Sequence, residues 1–501
     1  MSGEEAFPLD SRCRALLARL ATFFAGRDIT AYATGGFLRD ALLGQRIHDI
    51  DLSIGADPLV VGPDLAAALE GHYFVLDAEK RLARVLLPAE ELHIDLLPIR
   101  GEIAEDLRRR DYTIDALAAA LGEAVTGRAA IIDPTGGLAD LQSRTVRLTE
   151  EAALLADPLR LLRGARIATQ VDFRVAPQTA ELIRRHAALV TRSAPERQRD
   201  ELMRILGTPR AAAGLRLLDD LGLFDHIFPE MAAARGCEQP KEHYWDVLNH
   251  SFATVQSMDL LLAEEEPPSA SGGGRRLWRE LWSGLAWWPE AREYFRREVV
   301  MGTARCAVLK LGCLLHDIGK PQTRTFDGTG RMRFFGHADA GAEIAVRLLQ
   351  RLRFSAREVA LVRAMIEAHM RPLQMAQQGP PTRRAIYRFF RDTGDAGIDT
   401  LFLSLADHLG AVGPRVKVEA FRRHVALIAY VLTQRFQAPE VVSPPRLLRG
   451  DELMRELGLA PGPLVGRLLE QVREAQAAGE VSTREEALAF ARREMERLRA
   501  E

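Results

Sequence analysis

Residues Thr34–Asp51 read TGGFLRDALLGQRIHDID, and this stretch sets the architecture of the amino-terminal part of the chain. A strand-like run ends at Gly35–Gly36, a helical pattern follows, and Asp49 and Asp51 open the next strand-like run. Paired glycines let a backbone approach a phosphate closely, and the N-terminus of the following helix favours anions. Because side chains alternate along a strand, Asp49 and Asp51 face the same side. Two carboxylates beside a phosphate-binding turn suit Mg²⁺ in an in-line nucleotidyl transfer.

A bare Asp-x-Asp pair is more often a surface turn at a strand end, so the neighbouring segments carry the argument. Leu92–Arg100 (LHIDLLPIR) is another alternating run, and its Asp95 could be a third catalytic carboxylate. The alternative is a strand aspartate paired to an arginine. Further on, Arg109 and Arg110 in DLRRRDYTIDALA could neutralise a triphosphate through charge-assisted hydrogen bonds. A solvated basic turn is the alternative for these two arginines.

A third segment, DPLRLLRGAR, contains Asp157 and Arg160. We expect the two residues to lie three apart on one helix and to project together. They would then offer an acceptor and a donor at a fixed separation, which suits the Watson–Crick edge of a base. An ordinary salt bridge within a helix is the alternative.

Five segments occur in order along the chain: GGFLRD…DID, RRDYTIDALA, DPTGGLADL, DPLRLLRGARIA and ERQRDELMRIL. They resemble the successive motifs of the bacterial (class II) tRNA nucleotidyltransferases and poly(A) polymerases, which belong to the polymerase-β-like nucleotidyltransferase superfamily. The resemblance covers about residues 25–235 densely and the remainder more loosely. It implies an α+β fold class, with a nucleotidyltransferase head of small mixed sheet and helices followed by all-α neck, HD and tail domains.

The resemblance also implies roles for individual residues. Asp49 and Asp51 would be magnesium ligands, and Asp157 and Arg160 would read the incoming base without a nucleic-acid template. Asp95, proposed above from the strand pattern alone, would activate the attacking hydroxyl or complete the metal site. The implied nucleotide-binding set is Gly35, Gly36, Arg39, Arg109, Arg110, Asp111, Asp115, Asp157, Arg160 and Arg163. The implied neck motif consists of Glu196, Arg197 and Glu201.

One residue departs from the family pattern, since Asp115 stands where the family usually has Asn. An added negative charge near a triphosphate would repel it unless the carboxylate is paired or protonated. Nucleotide affinity or sugar selection is therefore expected to depend on what surrounds Asp115.

A second chemical signal is a set of histidines and aspartates in the carboxy-terminal half. It consists of His250, His316, Asp317, His337, His369 and Asp407. Imidazole nitrogens and carboxylate oxygens are ligands for borderline transition metals, here Mn, Fe, Ni or Zn. The order resembles that of the HD-type phosphohydrolase superfamily, which implies a second active site with phosphatase or cyclic phosphodiesterase activity. His250 is separated from His316 by a linker-like stretch, Glu264–Gly274, and by a segment with four tryptophans.

Lys320, just after the HD pair, is expected to contact a substrate phosphate. The alternative is a lysine at a helix C-terminus that complements the helix dipole. In the tail, Pro461–Pro463 and Gly466 are expected to form a tight turn between two helices that touches tRNA phosphates, or an ordinary helical hairpin.

Length and composition bound the remaining expectations. The 501 residues predict several domains, divided at 1–150 (head), 151–235 (neck), 236–435 (HD, with an insertion near 263–300) and 436–501 (tail). The net charge of −2 excludes a globally basic nucleic-acid coat but not a local basic groove. The sequence contains no run of about 18 apolar residues, so no membrane span is predicted. Its start lacks signal-peptide features, and we therefore expect a cytoplasmic protein.

These observations together predict an enzyme that adds or repairs the 3′-terminal CCA of tRNA from CTP and ATP. We expect the tRNA 3′ end as its nucleic-acid partner, and no DNA. Three alternatives stay open: a poly(A) polymerase, a specialist that adds only CC or only A, and an RNA-binding HD hydrolase whose transferase head is inactive.

Overall fold

The computed structural model describes residues 4–47, 49–88, 92–263, 272–284, 288–377 and 379–500. The chain divides into two compact units: Met1–Ala194 with Leu218–His226, and Pro195–Leu217 with Ile227–Glu501. Within the described residues, no helix is both long enough and apolar enough to span a membrane.

The first unit is built on a mixed sheet. Its strands are β1 (Glu4–Ala6), β2 (Ala31–Thr34), β3 (Asp49–Ile54), β4 (His72–Asp77), β5 (Leu82–Leu87), β6 (Leu92–Pro98), β7 (Ala118–Ala120), β8 (Arg128–Ile132), β9 (Thr145–Val146) and β10 (Arg174–Val175). Its helices are α1 (Ser11–Ala25), α2 (Gly35–Leu42), α3 (Pro58–Leu69), α4 (Ile103–Arg108), α5 (Leu121–Ala124), α6 (Gly137–Gln142), α7 (Glu151–Ala156), α8 (Arg160–Val171) and α9 (Pro177–His186).

Eight of these strands form one sheet in the order β1-β8-β7-β2-β3-β6-β5-β4. β3 and β6 run parallel, with Asp51 opposite Asp95, and β5 pairs antiparallel with β6, with Arg84 opposite Asp95. β2 leads directly into α2 and pairs antiparallel with β3. The start of α2 and the start of β3 are therefore brought to the same edge of the sheet.

The second unit is helical. Two helices lie at the division between the units, α11 (Ala211–Asp220) and α12 (Phe224–Ile227). The others are α10 (Pro195–Leu206), α13 (Val247–Leu261), α14 (Gly272–Gly284), α15 (Trp288–Arg296), α16 (Arg305–Leu315), α17 (Lys320–Thr323), α18 (His337–Arg351), α19 (Ala356–Ala368), α20 (Arg371–Gln374), α21 (Arg383–Thr393), α22 (Gly397–Val412), α23 (Val418–Gln437), α24 (Pro439–Val442), α25 (Gly450–Leu457), α26 (Pro463–Ala478) and α27 (Arg484–Ala500). Short strand pairs are β11 (Glu298–Val300) with β12 (Thr303–Ala304), and β13 (Thr325–Phe326) with β14 (Met332–Arg333).

α13, α16, α19 and α22 pack on one another and form the centre of this unit. α16 is buried along almost its whole length, as its apolar sequence RCAVLKLGCLL requires. The tail helices α25, α26 and α27 enclose a separate apolar cluster that includes Leu453, Leu468 and Val472. The α+β class, with a mixed sheet in the head and helices after it, is confirmed.

Two local expectations, and the alternative given for Lys320, were wrong. Asp157 is not on a helix with Arg160, because it lies in extended conformation between α7 and α8. Gly466 does not belong to the tail turn, because it lies in the first turns of α26, which begins at Pro463. Lys320 does not end a helix, because it is the first residue of α17.

The tryptophan-rich segment is described in part. Trp278 lies in α14, which packs on α23, and its indole N–H donates to the carbonyl of Ala263 at 3.3 Å. The side chains of Trp282, Trp287 and Trp288 lie outside the described part of the chain.

Candidate active sites

The glycine turn and the carboxylates of the head meet at the start of α2. Gly35 has φ +63°, and a Cβ there would come within 2.9 Å of Asp51 Oδ2. The backbone N–H of Phe37 donates to the same oxygen at 3.2 Å. Gly35 is therefore required by both the turn and the close approach of this carboxylate.

The electrostatics around Asp51 favour a bound cation. Burial raises the pKa of Asp51 to about 7, and the negative charges of Asp49 and Asp95 contribute to the rise. A carboxylate that is costly to ionise beside other carboxylates gains from a divalent ion. Asp49 is the exposed member of the pair, with 45% of its side chain accessible. The two aspartates thus fit a magnesium site that stays open for substrate oxygens.

Asp95 has a partner of its own. Arg84 Nε lies 2.6 Å from Asp95 Oδ1, and Arg84 Nη2 lies 2.7 Å from Oδ2, in a bidentate pair across β5 and β6. This is the paired geometry named above as the alternative for Asp95. Among the described residues, no group of three potential metal-ligand atoms lies in the head. The catalytic role of Asp95 therefore stays a prediction.

Asp115 is paired as well. Arg39 Nη1 donates to Asp115 Oδ1 at 2.6 Å, while Arg39 Nε donates to Asp40 Oδ1 at 2.7 Å. Arg39 is buried at 6% exposure, so its charge is directed to these two carboxylates. The carboxylate that departs from the family pattern is therefore paired within the protein, and it shares the single charge of Arg39 with Asp40.

The Arg-Arg-Asp segment follows α4. Arg109 is exposed and donates to the carbonyl of Arg100. Arg110 Nη2 donates to Ser53 Oγ on β3 at 2.8 Å. That bond places the Arg110 guanidinium against the strand that carries Asp49 and Asp51.

Asp111 is buried and connects the head sheet to α8. Arg163 Nη1 donates to Asp111 Oδ2 at 2.8 Å. Burial alone would raise the pKa of Asp111, but the charges of Arg163 and Arg160 outweigh it and lower the pKa. Arg163 therefore holds Asp111, and its contact with a nucleotide stays a prediction.

Asp157 and Arg160 are each held separately. Asp157 Oδ1 accepts from the Leu159 N–H at 3.3 Å, and Asp157 Oδ2 lies 3.9 Å from Lys80 Nζ. Arg160 Nη1 donates to the carbonyl of Ala153 at 3.3 Å. Lys80, on the β4–β5 turn, was not among the residues singled out from the sequence.

The neck residues lie on α10 in the second unit. Glu201 is buried, with Oε1 4.0 Å from Arg204 Nη1, while Glu196 is exposed, with Oε1 3.9 Å from Arg353 Nε. Arg197 is half-buried on the same helix. Their bracing role stays a prediction.

The histidines and aspartates of the second unit converge in one place, here called the HD cluster. Its members are His250 in α13, His316 and Asp317 after α16, His337 at the start of α18, His369 after α19, and Asp407 in α22. His250 Nε2 lies 3.1 Å from His316 Nε2 and 3.1 Å from Asp407 Oδ1. His337 Nε2 lies 3.3 Å from His369 Nε2. All six residues expected from the sequence are thus adjacent, including His250 beyond the insertion.

The orientation of three imidazoles is fixed by the backbone. The Nδ1 atoms of His316, His337 and His369 each lie 2.7–2.9 Å from the carbonyl oxygen three residues earlier. An Nδ1–H that donates to a carbonyl leaves Nε2 unprotonated and available as a metal ligand. Burial lowers the pKa of His369 to about 4, which favours its neutral, ligating form. For His316, burial would lower the pKa, but the carboxylates of Asp317 and Asp407 outweigh it and raise the pKa to about 10, so a bound metal ion would have to displace a proton there.

Asp317 divides the HD cluster into two halves. Its Oδ2 lies 3.2 Å from the Nε2 atoms of both His250 and His316, and its Oδ1 lies 3.6 Å from His337 Nε2. Oδ1 is buried and has no hydrogen-bond partner within the described residues. Two groups of potential ligands result: His250, His316 and Asp407, and Asp317, His337 and His369. The imidazoles and carboxylates of each group are of the kind that could hold a divalent transition-metal ion.

Lys320 contacts the HD cluster through Asp317, with Nζ 2.5 Å from Asp317 Oδ2. The preceding Gly319 allows this corner to touch α18, since a Cβ there would lie 2.2 Å from the carbonyl oxygen of His337. Lys320 Nζ also donates to Gln239 Oε1 at 2.7 Å and lies 3.5 Å from His243 Nε2. Sequence reasoning missed Gln239 and His243, because nothing in their spacing marks them as neighbours of the HD pair.

A glycine turn against strand carboxylates is a candidate nucleotidyltransferase site, and the separate buried cluster of imidazoles and carboxylates is a candidate HD-type metal site. Family models agree with this division. The "Poly A polymerase head domain" matches residues 31–102 and 95–147, "Probable RNA and SrmB-binding site of polymerase A" matches 172–235, "HD domain" matches 296–412, and "tRNA nucleotidyltransferase domain 2" matches 423–491.

Two curated relatives match nearly the whole chain. The A-adding tRNA nucleotidyltransferase of Deinococcus radiodurans is 35% identical over 469 residues, which are 92% of this chain and 95% of that protein. The CC-adding tRNA nucleotidyltransferase of Thermus thermophilus is 35% identical over 475 residues, covering 93% and 94%. The solved Thermotoga maritima CCA-adding enzyme complexed with tRNA shares the fold, with a TM-score of 0.57 at 20% identity over 99% of this chain and all of that one. This chain belongs to the tRNA nucleotidyltransferase family and carries an HD domain.

Proposed function

We propose that this enzyme extends the 3′ end of tRNA with CMP and AMP units from CTP and ATP, without a template. The observation that carries the proposal is the approach of Gly35 to Asp51, because it joins a phosphate-binding turn to a magnesium ligand. The tRNA 3′-hydroxyl oxygen would attack the α-phosphorus, the bond to the bridging β-phosphate oxygen would break, and pyrophosphate would leave.

The residues divide this work by position. Asp49 and Asp51 would hold Mg²⁺, which supplies positive charge to the triphosphate. Arg110, which donates to Ser53 Oγ on β3, would neutralise the charge of nucleotide phosphates bound beside that strand. Asp157, which precedes α8, and Arg160, which begins it, would contact the base of the nucleotide. Arg39 would pair with the Asp115 carboxylate and so reduce its repulsion of the triphosphate.

The number of nucleotides added is the open part of this proposal. One candidate is complete CCA addition or repair. The second is a specialist that adds only CC or only A. The specialist candidate is favoured by two relatives that each match over nine-tenths of the chain, since one is named A-adding and the other CC-adding.

Incorporation of labelled CTP and ATP, supplied singly and together with Mg²⁺, tests both candidates. The acceptors would be tRNAs ending at the discriminator base, at C, at CC and at CCA, with an unstructured RNA as control. Addition that stops after CCA supports the first candidate, and addition of CC only or A only supports the second. A long A tail on the unstructured RNA would instead show a poly(A) polymerase, and no incorporation would contradict the transferase proposal.

We further propose that the HD cluster hydrolyses a phosphoester at an RNA 3′ end. A water oxygen would attack the phosphorus, the ester bond would break, and the leaving oxygen would take up the proton. The ligand set supports a pair of Mn, Fe, Ni or Zn ions, with Lys320 beside them as a phosphate contact. The paired change His316→Ala with Asp317→Ala should remove bound metal and hydrolysis and spare incorporation. Hydrolysis that persists in this variant would contradict the site.

The division into head, neck, HD and tail segments is proposed on the ranges of the four family matches. A tRNA contact by the tail and a cytoplasmic location, where tRNA and both nucleotides are available, belong to the same proposal.

A further inference from the structure

Residues 236–246 form a closed loop in front of the HD cluster. Asp246 begins α13 as its N-cap, with Oδ1 accepting from Asn249 N–H at 2.7 Å, and its Oδ2 accepts from Gly236 N–H at 2.9 Å. The two ends of the loop are therefore tied by a single carboxylate. Within the loop, Gln239 Nε2 donates to the carbonyl of Trp245 at 3.2 Å. These bonds hold the loop in one conformation without regular secondary structure.

The loop also attaches to the helix that carries Asp407. The backbone N–H of Tyr244 donates to the carbonyl of Ala411 in α22 at 2.8 Å. The loop is thus fixed at both of its ends and near Tyr244. Side chains between these points have a defined position relative to the HD cluster.

Two of those side chains point at Lys320. Gln239 Oε1 accepts from Lys320 Nζ at 2.7 Å, and His243 Nε2 lies 3.5 Å from the same nitrogen. The His243 ring meets the His250 ring edge to face, with 5.4 Å between centroids. His243 belongs to neither group of potential metal ligands.

The polar capacity of this group is incompletely used. His243 Nδ1 is buried and has no hydrogen-bond partner within the described residues. Lys320 is buried at 7% exposure, so its charge is concentrated at one place beside Asp317. A buried nitrogen without a partner costs free energy unless a ligand or water satisfies it. The Lys320 ammonium pairs with Asp317 Oδ2 at 2.5 Å, and it would become available to an anion where bound metal ions take up the charge of Asp317.

We propose that Gln239, His243 and Lys320 form a phosphate pocket, which receives phosphoryl oxygens of the HD substrate that the metal ions leave free. Gln239 is a positioning residue that holds Lys320, while His243 and Lys320 contact the phosphoryl group. The ligand class is a phosphoester or inorganic phosphate. The inference rests on the proposed HD hydrolysis. It gives a substrate-binding role to the loop of residues 236–246, which precedes the residues that the HD family model matches, 296–412.

Substitutions in the full-length, metal-loaded protein test the phosphate pocket. The variants are His243→Leu, His243→Asn and Gln239→Leu, with Glu238→Gln as the matched control, because Glu238 is exposed on the same loop. The probes are inorganic phosphate, whose Kd is measured by calorimetry, and bis(p-nitrophenyl) phosphate, whose hydrolysis gives kcat and KM. Metal content and CTP incorporation are measured in parallel.

We expect His243→Leu to weaken phosphate binding about tenfold or more, since a hydrogen bond to a charged group contributes about 1.5–3 kcal/mol. KM should rise with it, while metal content and incorporation stay at the level of the Glu238→Gln control. His243→Asn, which keeps a polar side chain, should recover part of the affinity. Gln239→Leu should show a smaller loss.

Two results would overturn the phosphate pocket. One is an unchanged phosphate Kd and KM in His243→Leu with full metal content. The other is loss of metal in the loop variants, which would show a structural role. The proposed function fails separately: a metal-loaded protein that binds phosphate through His243 but hydrolyses no phosphoester would retain the phosphate pocket and contradict the hydrolase.

Discussion

The head and the HD cluster solve the problem of holding a divalent cation in opposite ways. In the head, two aspartates on one strand face an exposed edge, and the accessible side chain of Asp49 leaves room for substrate. In the HD cluster, six side chains come from five helical segments, and five of the six are buried. The proposed magnesium site in the head leaves positions for substrate oxygens, whereas all the ligands proposed for the HD cluster come from the protein.

This difference predicts different metals and different metal retention. Carboxylate oxygens with open positions suit Mg²⁺, which keeps waters and binds through substrate phosphates. Imidazole nitrogens with a shared carboxylate suit transition metals, and a buried site releases them slowly. The two sites should therefore load, lose metal and fail independently of each other.

The largest effect is expected from the paired change Asp49→Asn and Asp51→Asn. Removing both carboxylates removes the charge that positions Mg²⁺ on the triphosphate, so incorporation of CTP or ATP should fall about 1,000-fold or more, equivalent to ~4 kcal/mol in the barrier. Phosphoester hydrolysis by the HD cluster should not change. Equal loss of both activities would show that the two sites are coupled.

Metal stoichiometry gives the next prediction. Asp317 contacts both halves of the HD cluster, whereas the ion pairs of Asp407 among the described residues are with His250 and His316. Asp317→Asn should therefore remove both transition-metal ions, and Asp407→Asn should remove one. Elemental analysis of the purified variants measures this directly. Full metal content in Asp317→Asn would exclude a shared carboxylate, and the head variant Asp49→Asn serves as the control.

The sequence predicted the head carboxylates better than their surroundings. Asp49 and Asp51 lie two apart on one strand, so alternation alone places them together. The pairing of Arg39 with Asp115 joins residues 76 apart, and that of Arg84 with Asp95 depends on the register of two strands. Such pairs are set by tertiary structure and leave no local pattern.

Two of the wrong predictions concern segments in which a proline indicates the local conformation. Asp157 precedes Pro158, and a residue before proline is disfavoured in helical conformation, which explains its extended backbone. Pro463 follows Gly462, and proline is favoured at the first position of a helix, so α26 begins there and Gly466 falls inside it. The HD ligands were found by resemblance, while Gln239 and His243 required the folded loop.

A smaller effect is expected from pH, which should change the Mg²⁺ affinity of the head site. The pKa of Asp51 is raised to about 7, so below that pH a proton must leave before Mg²⁺ binds. Mg²⁺ affinity should rise about tenfold per pH unit up to about pH 7 and level off above it, because the carboxylate is then already ionised. Calorimetric titration of protein whose HD cluster is already metal-loaded measures the head alone. Asp51→Asn should bind Mg²⁺ weakly and without this slope, and the same slope in that variant would assign the proton to another group.

The smallest expected effect on catalysis concerns Asp115, although it is the one departure from the family pattern. Because Arg39 already pairs with the Asp115 carboxylate, Asp115→Asn should leave the KM for ATP within about threefold of the parent.

Arg39→Met should be far more damaging, since it leaves the carboxylates of Asp40 and Asp115 without their buried partner, at a cost of about 3–5 kcal/mol in folding free energy. Adding Asp115→Asn to Arg39→Met should then recover part of that stability, which thermal melting of the three variants measures. A large gain in ATP affinity from Asp115→Asn alone would mean that this carboxylate still repels the triphosphate, and that pairing in the head is weaker than the 2.6 Å contact indicates.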